Sequence, residues 1–480
     1  IGSDKGNFIK PGFDPLAVQT STNSYFLYAW GYNTQGQLGL GDTTTRSSPV
    51  QVGALTTWTQ AAMGRRTGLG VTSDGKLYAW GSNQYGNLGQ GNTTNYSSPV
   101  QVGALTNWAK VAATGGWTSF AIKTDGTFWS FGQGTSGQLG DGSTVAKSSP
   151  VQVGALTDWL NISGGSQLTL AVKTDGTAWT WGLNNYGQLG DGTTVNKSSP
   201  IQVGVLTNWA KSAGGGGTTL YVKTDGTLWA WGQGQYGQLG DGTTVNKSSP
   251  VQIGALTTWY SIAGGDQHSL ATTTDGKLYA WGQGANGQLG LGNTEPTSSP
   301  VQVGALTTWA NVAAGAVYSL AIKTDGTIWS FGYNGQGQLG QGNTTNYSSP
   351  VQIGALTTWS KIVGGAYHAL ATKNDGALWN WGYNTYGQLG QGNNTTPINS
   401  PVQVGALTTW LNIAGGFYHS LATTTDGKLY AWGYNGSGTL GDGTTTVRSS
   451  PVQVGSLTTW GTLMKNPMGN HSLAILQGTT

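Results

Sequence analysis

A repeat of about 50 residues constrains this chain more than any other feature. Each copy carries the heading SPVQVGALT with small changes, and its proline returns nine times at a spacing of 50 or 51 residues. These prolines are Pro49, Pro99, Pro150, Pro200, Pro250, Pro300, Pro350, Pro401 and Pro451. Repeats of this length are supersecondary units that bury their apolar faces only against neighbouring copies. The period therefore predicts one repeat domain, although 480 residues would otherwise suggest about three domains.

Within each unit, the local pattern predicts four β-strands. The segment after each LT, such as WTQAAMG from Trp58, is a first short strand. Apolar alternation about an Asp-Gly pair then predicts a two-residue hairpin, as in Ser319 to Gly332. A long polar connection leads to PVQVG, a fourth short strand whose proline is compatible with a strand start or an outer edge. Four strands per unit correspond to one blade of a β-propeller.

The two ends of the chain carry complementary halves of one unit. SYFLYAWG from Ser24 matches the second strand of the hairpin, and HSLAILQGTT from His471 matches its first strand. Pairing these segments would close a ring without an open sheet edge, which favours a propeller over an open solenoid. Residues 1–23 match no part of the repeat and are predicted to form an extended N-terminal arm, either a loosely ordered leader or a tether. We expect residues 24–480 to form a single propeller domain.

The order of motifs in each unit resembles the regulator of chromosome condensation (RCC1) repeat. That order is G-x-x-H-S-L-A, Asp-Gly, Trp-Gly, GQLGxG and Pro-Val, and it extends over about residues 24–476. The resemblance implies an all-β, RCC1-like β-propeller. Members of the family usually have seven blades, whereas this chain has nine repeats. We therefore expect a wider ring of nine four-stranded blades, with seven blades and a two-unit extension as the alternative.

The composition argues against several functional classes. Only 8% of the residues are charged, against roughly 25% in an average globular protein, and the net charge is +3. Neither value favours binding to nucleic acid or to an anionic membrane surface. The chain contains no cysteine, which excludes disulfides and thiolate metal ligands. No segment approaches the ~20 apolar residues of a membrane-spanning helix.

Most residues that could carry chemistry belong to the repeat framework. Of 22 tryptophans, 21 occupy three recurring positions, and only Trp117 lies outside them. The four histidines (His268, His368, His419 and His471) share one register, which spreads them around a ring and predicts a structural role. The aspartates of the LGDG segments are predicted to form turns, and calcium binding is the alternative function. Since Glu295 is the only glutamate and no nucleophile motif is present, we expect no catalytic residue, cofactor or metal site.

The most informative variation lies between the first strand and the HSLA segment, where otherwise near-identical units differ. Loops at this register should line one rim of the ring, where rigid scaffolds usually carry function. The candidate binding residues are Arg65, Arg66, Trp117, Gln167, Asp266, Gln267, Tyr318, Tyr367, Phe417 and Tyr418. A second variable set contains Tyr32, Tyr85, Tyr186, Tyr236, Tyr333, Tyr383, Tyr386 and Tyr434. Tyrosine provides a large contact area with few torsions to restrict, although loop drift after duplication would explain the same variation.

These observations predict a non-enzymatic structural or interaction protein that presents a polar rim to a protein or glycan. The uncharged surface is similar in style to extracellular or virion-surface proteins of bacteria and phages, in which other subunits of a particle could be partners. A secreted monomeric binding or inhibitor propeller is the main alternative. A guanine-nucleotide exchange factor, as implied by the family's namesake, is disfavoured because the sequence offers no strongly charged face.

Overall fold

The computed structural model describes residues 24–113, 117–164, 167–204, 208–215, 217–395, 397–416, 418–456, 460–464 and 471–477. The predicted N-terminal arm, residues 1–23, lies outside these ranges. Every regular element in the described ranges is a β-strand. Within these ranges, no helix is long and apolar enough to cross a lipid bilayer.

The strands follow one another with the period of the repeat. The first eighteen are β1 (Tyr25–Gly31), β2 (Arg46–Gln51), β3 (Trp58–Met63), β4 (Thr67–Thr72), β5 (Leu77–Gly81), β6 (Tyr96–Gln101), β7 (Trp108–Ala113), β8 (Thr118–Lys123), β9 (Phe128–Gly132), β10 (Lys147–Gln152), β11 (Trp159–Gly164), β12 (Leu168–Lys173), β13 (Ala178–Gly182), β14 (Lys197–Gln202), β15 (Trp209–Gly215), β16 (Thr218–Lys223), β17 (Leu228–Gly232) and β18 (Lys247–Gln252). The others are β19 (Trp259–Gly264), β20 (His268–Thr273), β21 (Leu278–Gly282), β22 (Thr297–Gln302), β23 (Trp309–Ala314), β24 (Tyr318–Lys323), β25 (Ile328–Gly332), β26 (Tyr347–Gln352), β27 (Trp359–Gly364), β28 (His368–Lys373), β29 (Leu378–Gly382), β30 (Ile398–Gln403), β31 (Trp410–Gly415), β32 (His419–Thr424), β33 (Leu429–Gly433), β34 (Arg448–Gln453), β35 (Trp460–Met464) and β36 (His471–Gln477).

The described strands form nine four-stranded sheets, which are the blades of a nine-bladed β-propeller. Blade 1 contains β2, β1, β36 and β35 in that order, and blades 2 to 9 each contain four consecutive strands, from β3–β6 to β31–β34. Neighbouring blades meet through their first strands, as β3 meets β7 and β19 meets β23. The first strand therefore lies nearest the axis, and the fourth is the outer edge. The prediction of nine four-stranded blades is confirmed.

Blade 1 closes the ring by joining the two ends of the chain. Strand β1 pairs antiparallel with β36 over seven residues, from Tyr25 opposite Gln477 to Gly31 opposite His471. Strand β35 then completes the inner side of the sheet. The predicted pairing of the terminal segments is confirmed.

Apolar residues on facing sheets form the core between blades. Leu69, Val71 and Leu77 of blade 2, for example, pack with Val111 and Phe131 of blade 3. The framework tryptophans take part in these clusters and also bind the preceding blade. The indole Nε1 of Trp80 donates to the backbone oxygen of Gln37 at 3.1 Å, and the same bond joins Trp181, Trp231, Trp281, Trp381 and Trp432 to Gln138, Gln188, Gln238, Gln338 and Gln388.

The fourth strand begins earlier than the sequence pattern predicts. The pattern places its start at the proline, but β6 begins at Tyr96, three residues before Pro99. Tyr96 pairs with Gly81 and Val100 pairs with Ala79, with an irregularity between them that contains the proline. Because proline has no N–H to donate, this irregularity on the outer edge accommodates it without loss of a ladder hydrogen bond.

Candidate functional site

Two kinds of loop share one rim of the propeller. Antiparallel order places the connection between the first and second strands of a blade on the same side as the connection between the third and fourth strands. We call this side the variable rim. The Asp-Gly hairpins and the Gly-Ala-Leu-Thr connectors form the opposite side, the hairpin rim.

The hairpin rim is built from nearly identical turns. Gly75 has a φ of 74°, and a Cβ added there would lie 2.0 Å from the backbone oxygen of Thr106. Trp108 N also donates to Gly75 O at 3.0 Å, so this Asp-Gly turn holds the start of the next blade. The same bond joins Trp259, Trp309, Trp359 and Trp410 to Gly226, Gly276, Gly326 and Gly376. These turns have a structural function, and the residue variation lies on the other rim.

Most of the predicted binding residues reach the variable rim. Arg65, Asp266, Tyr367 and Tyr418 are exposed there, and Arg66, Trp117, Gln167 and Gln267 are half-buried. Phe417 lies outside the described residues. The residues are distributed among blades 2, 3, 4, 6, 8 and 9, so they do not form one continuous patch.

The assignment of Tyr318 to the rim is wrong. Its side chain is 0% exposed, and its hydroxyl donates to the backbone oxygen of His368 at 2.8 Å and lies 3.1 Å from that of Gly365. Burial raises its pKa. Tyr318 stands one residue after the variable pair Ala316-Val317, at the register that the histidines occupy in other blades. It is therefore an interblade structural residue.

The histidine register forms hydrogen bonds between blades. His268 Nε2 lies 3.0 Å from Ser319 Oγ, and His368 Nε2 lies 3.3 Å from Ser420 Oγ. Since Ser319 donates its only hydroxyl hydrogen to Gln288 O at 2.8 Å, its Oγ accepts from the imidazole. The serine is therefore not oriented as a nucleophile toward a histidine base. Burial lowers the pKa of both imidazoles to about 4, which keeps them neutral near pH 7.

A cluster of four tyrosines lies on the variable rim at the junction of blades 8 and 9. We call Tyr383, Tyr386, Tyr418 and Tyr434 the tyrosine cluster. Its ring centroids are 6.5 Å apart for Tyr383 and Tyr386, 4.9 Å for Tyr386 and Tyr418, and 5.3 Å for Tyr386 and Tyr434. Tyr418 and Tyr434 remain 38% and 36% exposed. No charged side chain belongs to this cluster.

A single residue difference helps to direct Tyr383 into the cluster. The equivalent rings of Tyr333 and Tyr434 lie across Gly335 and Gly436, where an added Cβ would be 2.3 Å and 2.4 Å from the tyrosine hydroxyl oxygen. Blade 8 has Thr385 at that position. Its side chain excludes a ring from that place, and Tyr383 instead contacts Tyr386 and Tyr418.

A second cluster has equivalent positions at the junction of blades 2 and 3. The rings of Tyr85 and Trp117 are 5.8 Å apart, and the Arg65 Cζ lies 5.9 Å from the centroid of the Trp117 ring. Tyr85 and Tyr386 both precede the glycine of a third-to-fourth strand connection, and Trp117 and Tyr418 both directly precede a second strand. Only these two junctions carry aromatic residues at both positions.

Buried asparagines hold the loops that carry these aromatic residues. Asn83 accepts from Leu88 N at 2.8 Å and donates to Asn92 O at 3.0 Å. Asn384 accepts from Leu389 N at 3.0 Å and donates to Thr395 O at 3.1 Å. Both asparagines are 0% exposed. The sequence signal for this function is an asparagine two residues before Tyr85 and Tyr386, which was not among the predicted site residues.

The aspartates of the long connections are paired with cations. Asp191 Oδ2 lies 3.0 Å from Lys197 Nζ, and equivalent pairs join Asp141 to Lys147, Asp241 to Lys247 and Asp442 to Arg448. Burial raises the pKa of Asp191, but hydrogen bonds from Lys197, Thr193 and Asn184 outweigh this effect and hold it below the usual value. Among the described residues, no group of three or more His, Cys, Asp or Glu side chains could hold a metal ion.

The comparisons with known proteins agree with this architecture. The family model of the regulator of chromosome condensation (RCC1) repeat matches residues 26–70, 74–122, 125–172, 175–222, 225–272, 275–322, 325–372, 375–423 and 426–461. Human WBSCR16 has a similar crystal structure, with 19% identity and a TM-score of 0.52 over 95% of this chain and 100% of that one. Yeast RCC1 (Prp20), solved in complex with Kap60, has 17% identity and a TM-score of 0.50 over 96% of this chain and 90% of that one. These two likenesses concern the fold alone, whereas the family matches cover nearly the whole chain. The chain belongs to the regulator of chromosome condensation (RCC1) repeat family.

Proposed function

We propose that this propeller is a non-enzymatic interaction protein that binds a protein or glycan partner through its variable rim. The tyrosine cluster supports this proposal most directly. It gathers four uncharged aromatic side chains from two blades, and two of them remain more than one-third exposed. Tyrosine is enriched at the centre of binding interfaces because its ring is apolar and its hydroxyl forms hydrogen bonds.

The surroundings of the cluster also favour binding. The neighbouring loops are rich in Gly, Asn, Thr and Ser, which together with Tyr make up adaptable binding surfaces of antibodies. The buried Asn384 holds the loop of Tyr386 before any partner arrives. A preorganised loop loses less conformational entropy on binding.

A photo-crosslinking experiment tests this proposal. The photoreactive amino acid p-benzoylphenylalanine would replace Tyr418 on the variable rim in one variant and Leu306 on the hairpin rim in the other. The two residues are similarly exposed, at 38% and 43%. In extracts and surface material of the source organism, we expect crosslinks to a defined partner from position 418 only.

Two further variants separate binding from folding. Tyr386→Gln and Tyr418→Gln introduce residues that other blades carry at the same positions, as in Gln336 and Gln167. We expect unchanged thermal unfolding, and about tenfold weaker binding to the partner captured at position 418. Crosslinks from position 306 alone, or binding unaffected by the double substitution, would contradict the proposal.

We also propose that the protein acts on a cell or virion surface. The low charged fraction of 8% supports this placement, since polar uncharged side chains cover most of the exposed loops. Light scattering of native material tests it. A particle of megadalton mass would support a subunit of a surface assembly, whereas a species near 49.7 kDa would favour a secreted monomer.

A further inference from the structure

Two arginines on the variable rim differ from the other arginines of the described residues in their charge pairing. Arg46 and Arg448 each form an ion pair, with Asp42 and Asp442. Neither Arg65 nor Arg66 has a carboxylate within ion-pair distance in the described part of the chain. They are adjacent in the connection between β3 and β4. The loop therefore carries two positive charges that the described residues do not neutralise.

Aromatic rings surround this charge on one side. The Arg65 Cζ lies 5.9 Å from the centre of the Trp117 ring, and Tyr85 packs against that ring at 5.8 Å. A guanidinium held over an aromatic face keeps its N–H edge available for a carboxylate. The rings also displace water from one side of the guanidinium. A carboxylate bound there would be attracted more strongly than in open water.

From these contacts we infer that Arg65, Arg66, Tyr85 and Trp117 form a binding site for the carboxylates of an acidic protein segment. The inference rests on the proposed function and specifies the partner's chemistry at the junction of blades 2 and 3. Arg, Trp and Tyr are the residue types that contribute most to protein–protein binding free energy. Arginine binds carboxylates through two parallel N–H···O bonds, which supplies direction as well as charge.

The charge on the variable rim differs between opposite sides of the ring. Asp266 occupies the register of Arg65 in blade 6, nearly opposite across the ring, and it is exposed. Partial removal of its carboxyl from water raises the pKa of that group, and no cation lies within ion-pair distance of it in the described residues. An acidic segment is attracted to the blade 2 side and repelled from the blade 6 side.

Fluorescence anisotropy with a defined probe tests the inference. The probe is a fluorescein-labelled twelve-residue peptide of alternating glutamate and tyrosine, and the reference peptide carries glutamine in place of glutamate. We expect the glutamate peptide to bind the full chain at least about tenfold more tightly at low salt, and its affinity to fall as salt is added. Equal binding of the two peptides, or no binding of the glutamate peptide, would overturn the inference.

Matched variants assign the binding to this site. The double variant Arg65→Gln/Arg66→Gln should lose the preference for glutamate, and Arg65→Lys/Arg66→Lys should retain part of it, because lysine keeps the charge without the planar fork. Asp266→Asn at the equivalent register should not weaken binding. Binding that persists in the glutamine double variant would also overturn the inference.

Two further measurements distinguish a carboxylate site from a phosphate site, and the acidic preference from the proposed function. If inorganic phosphate competes with the peptide much more strongly than acetate at equal ionic strength, the site is a phosphate site and the inference is wrong. If the peptide fails to bind while crosslinks from position 418 persist, the acidic preference fails and the proposed function stands. If neither the crosslinks from position 418 nor peptide binding is observed, both the proposed function and the acidic preference are contradicted.

Discussion

At the scale of single residues, burial decides which polar groups can take part in function. His268 and His368 are 1% and 0% exposed, and their Nδ1 atoms have no hydrogen-bond partner among the described residues. A buried imidazole without a carboxylate partner is more stable in its neutral form. Protonation at Nδ1 would place an unpaired charge in the core, so the folded blades favour these histidines in the neutral form.

The two histidines should make the fold sensitive to mild acid. Their pKa in the folded chain is about 4, below the ordinary value of 6.5, so the unfolded chain binds protons first as the pH falls. Their contribution is fully present above pH 6.5 and is lost toward pH 4. Between pH 7 and pH 5 we expect protonation of each histidine in the unfolded chain to lower the free energy of unfolding by about 2 kcal/mol. Urea denaturation at the two pH values measures this loss.

The control variant keeps the residue types that the repeat already uses. His268→Thr/His368→Thr introduces the threonine that blades 2, 3 and 5 carry at the same register. This variant should be less stable at pH 7 but should lose much less stability between pH 7 and pH 5. An unchanged pH dependence would show that other groups cause the acid sensitivity.

At the scale of the blade, two alternative side-chain sets stabilise the long connection. In blade 4, the carboxylate of Asp191 pairs with Lys197 and its side chain is only 4% exposed. In blade 2, the same two positions hold Gln90 and Tyr96, and the Tyr96 hydroxyl accepts from Asn92 Nδ2 at 3.0 Å. Blades 3, 4, 5 and 9 carry the charged pair at these positions, and blades 2 and 7 carry glutamine and tyrosine.

Removing the cation of a buried pair should destabilise the blade. We expect Lys197→Met to lower the unfolding free energy by about 2 kcal/mol, because it leaves a buried carboxylate without its ion-pair partner. Lys277→Met is the matched control, since Asp275 and Lys277 are both exposed on the hairpin rim, and it should cause no measurable loss. Chemical denaturation of both variants measures the difference.

A rescue variant tests the cause of that loss. Asp191→Gln/Thr193→Asn/Lys197→Tyr transfers the neutral set of blade 2 into blade 4. It should recover most of the stability lost in Lys197→Met. If the triple variant is no more stable than Lys197→Met, the loss does not come from the unpaired carboxylate.

At the scale of the whole molecule, the ring depends on one blade made from both ends of the chain. Leu27 and Ala29 of β1 are 0% exposed and pack with Leu473 and Ile475 of β36. Trp30 completes the junction with blade 9, with Leu429 and Leu440 in the same cluster. Without β1, the strand β36 would lose seven paired residues and become an open sheet edge.

Loss of the closing strand should therefore affect the whole ring. We expect deletion of residues 24–31 to lower the melting temperature strongly and to promote aggregation, measured by differential scanning calorimetry and light scattering. The substitution Leu27→Asp should act in the same direction, whereas Val145→Asp, at a position 63% exposed, should not. An unchanged melting temperature in the deletion variant would show that closure does not stabilise the ring.

Much of the fold was predictable because its determinants are local and repeated. The Asp-Gly turns, the apolar alternation and the period specify strands and blade number within one unit. The matching halves at Ser24 and His471 predict closure because only those segments lack a partner strand. The early start of β6 was not predictable, since it depends on an irregular pairing around Pro99.

The sequence by itself determined the all-β class, the nine four-stranded blades, the closing blade and the register at which the loops vary. Only the tertiary structure decided which of those variable residues come together. It placed Tyr318 in the core and brought Tyr386 to Tyr418 and Tyr85 to Trp117. Among the described residues, it gave Arg65 and Arg66 no carboxylate partner. The physical reason is that a strand and its turn are specified by neighbouring residues, whereas contacts on the rim join residues some thirty positions apart on different blades, whose distances depend on how the blades pack.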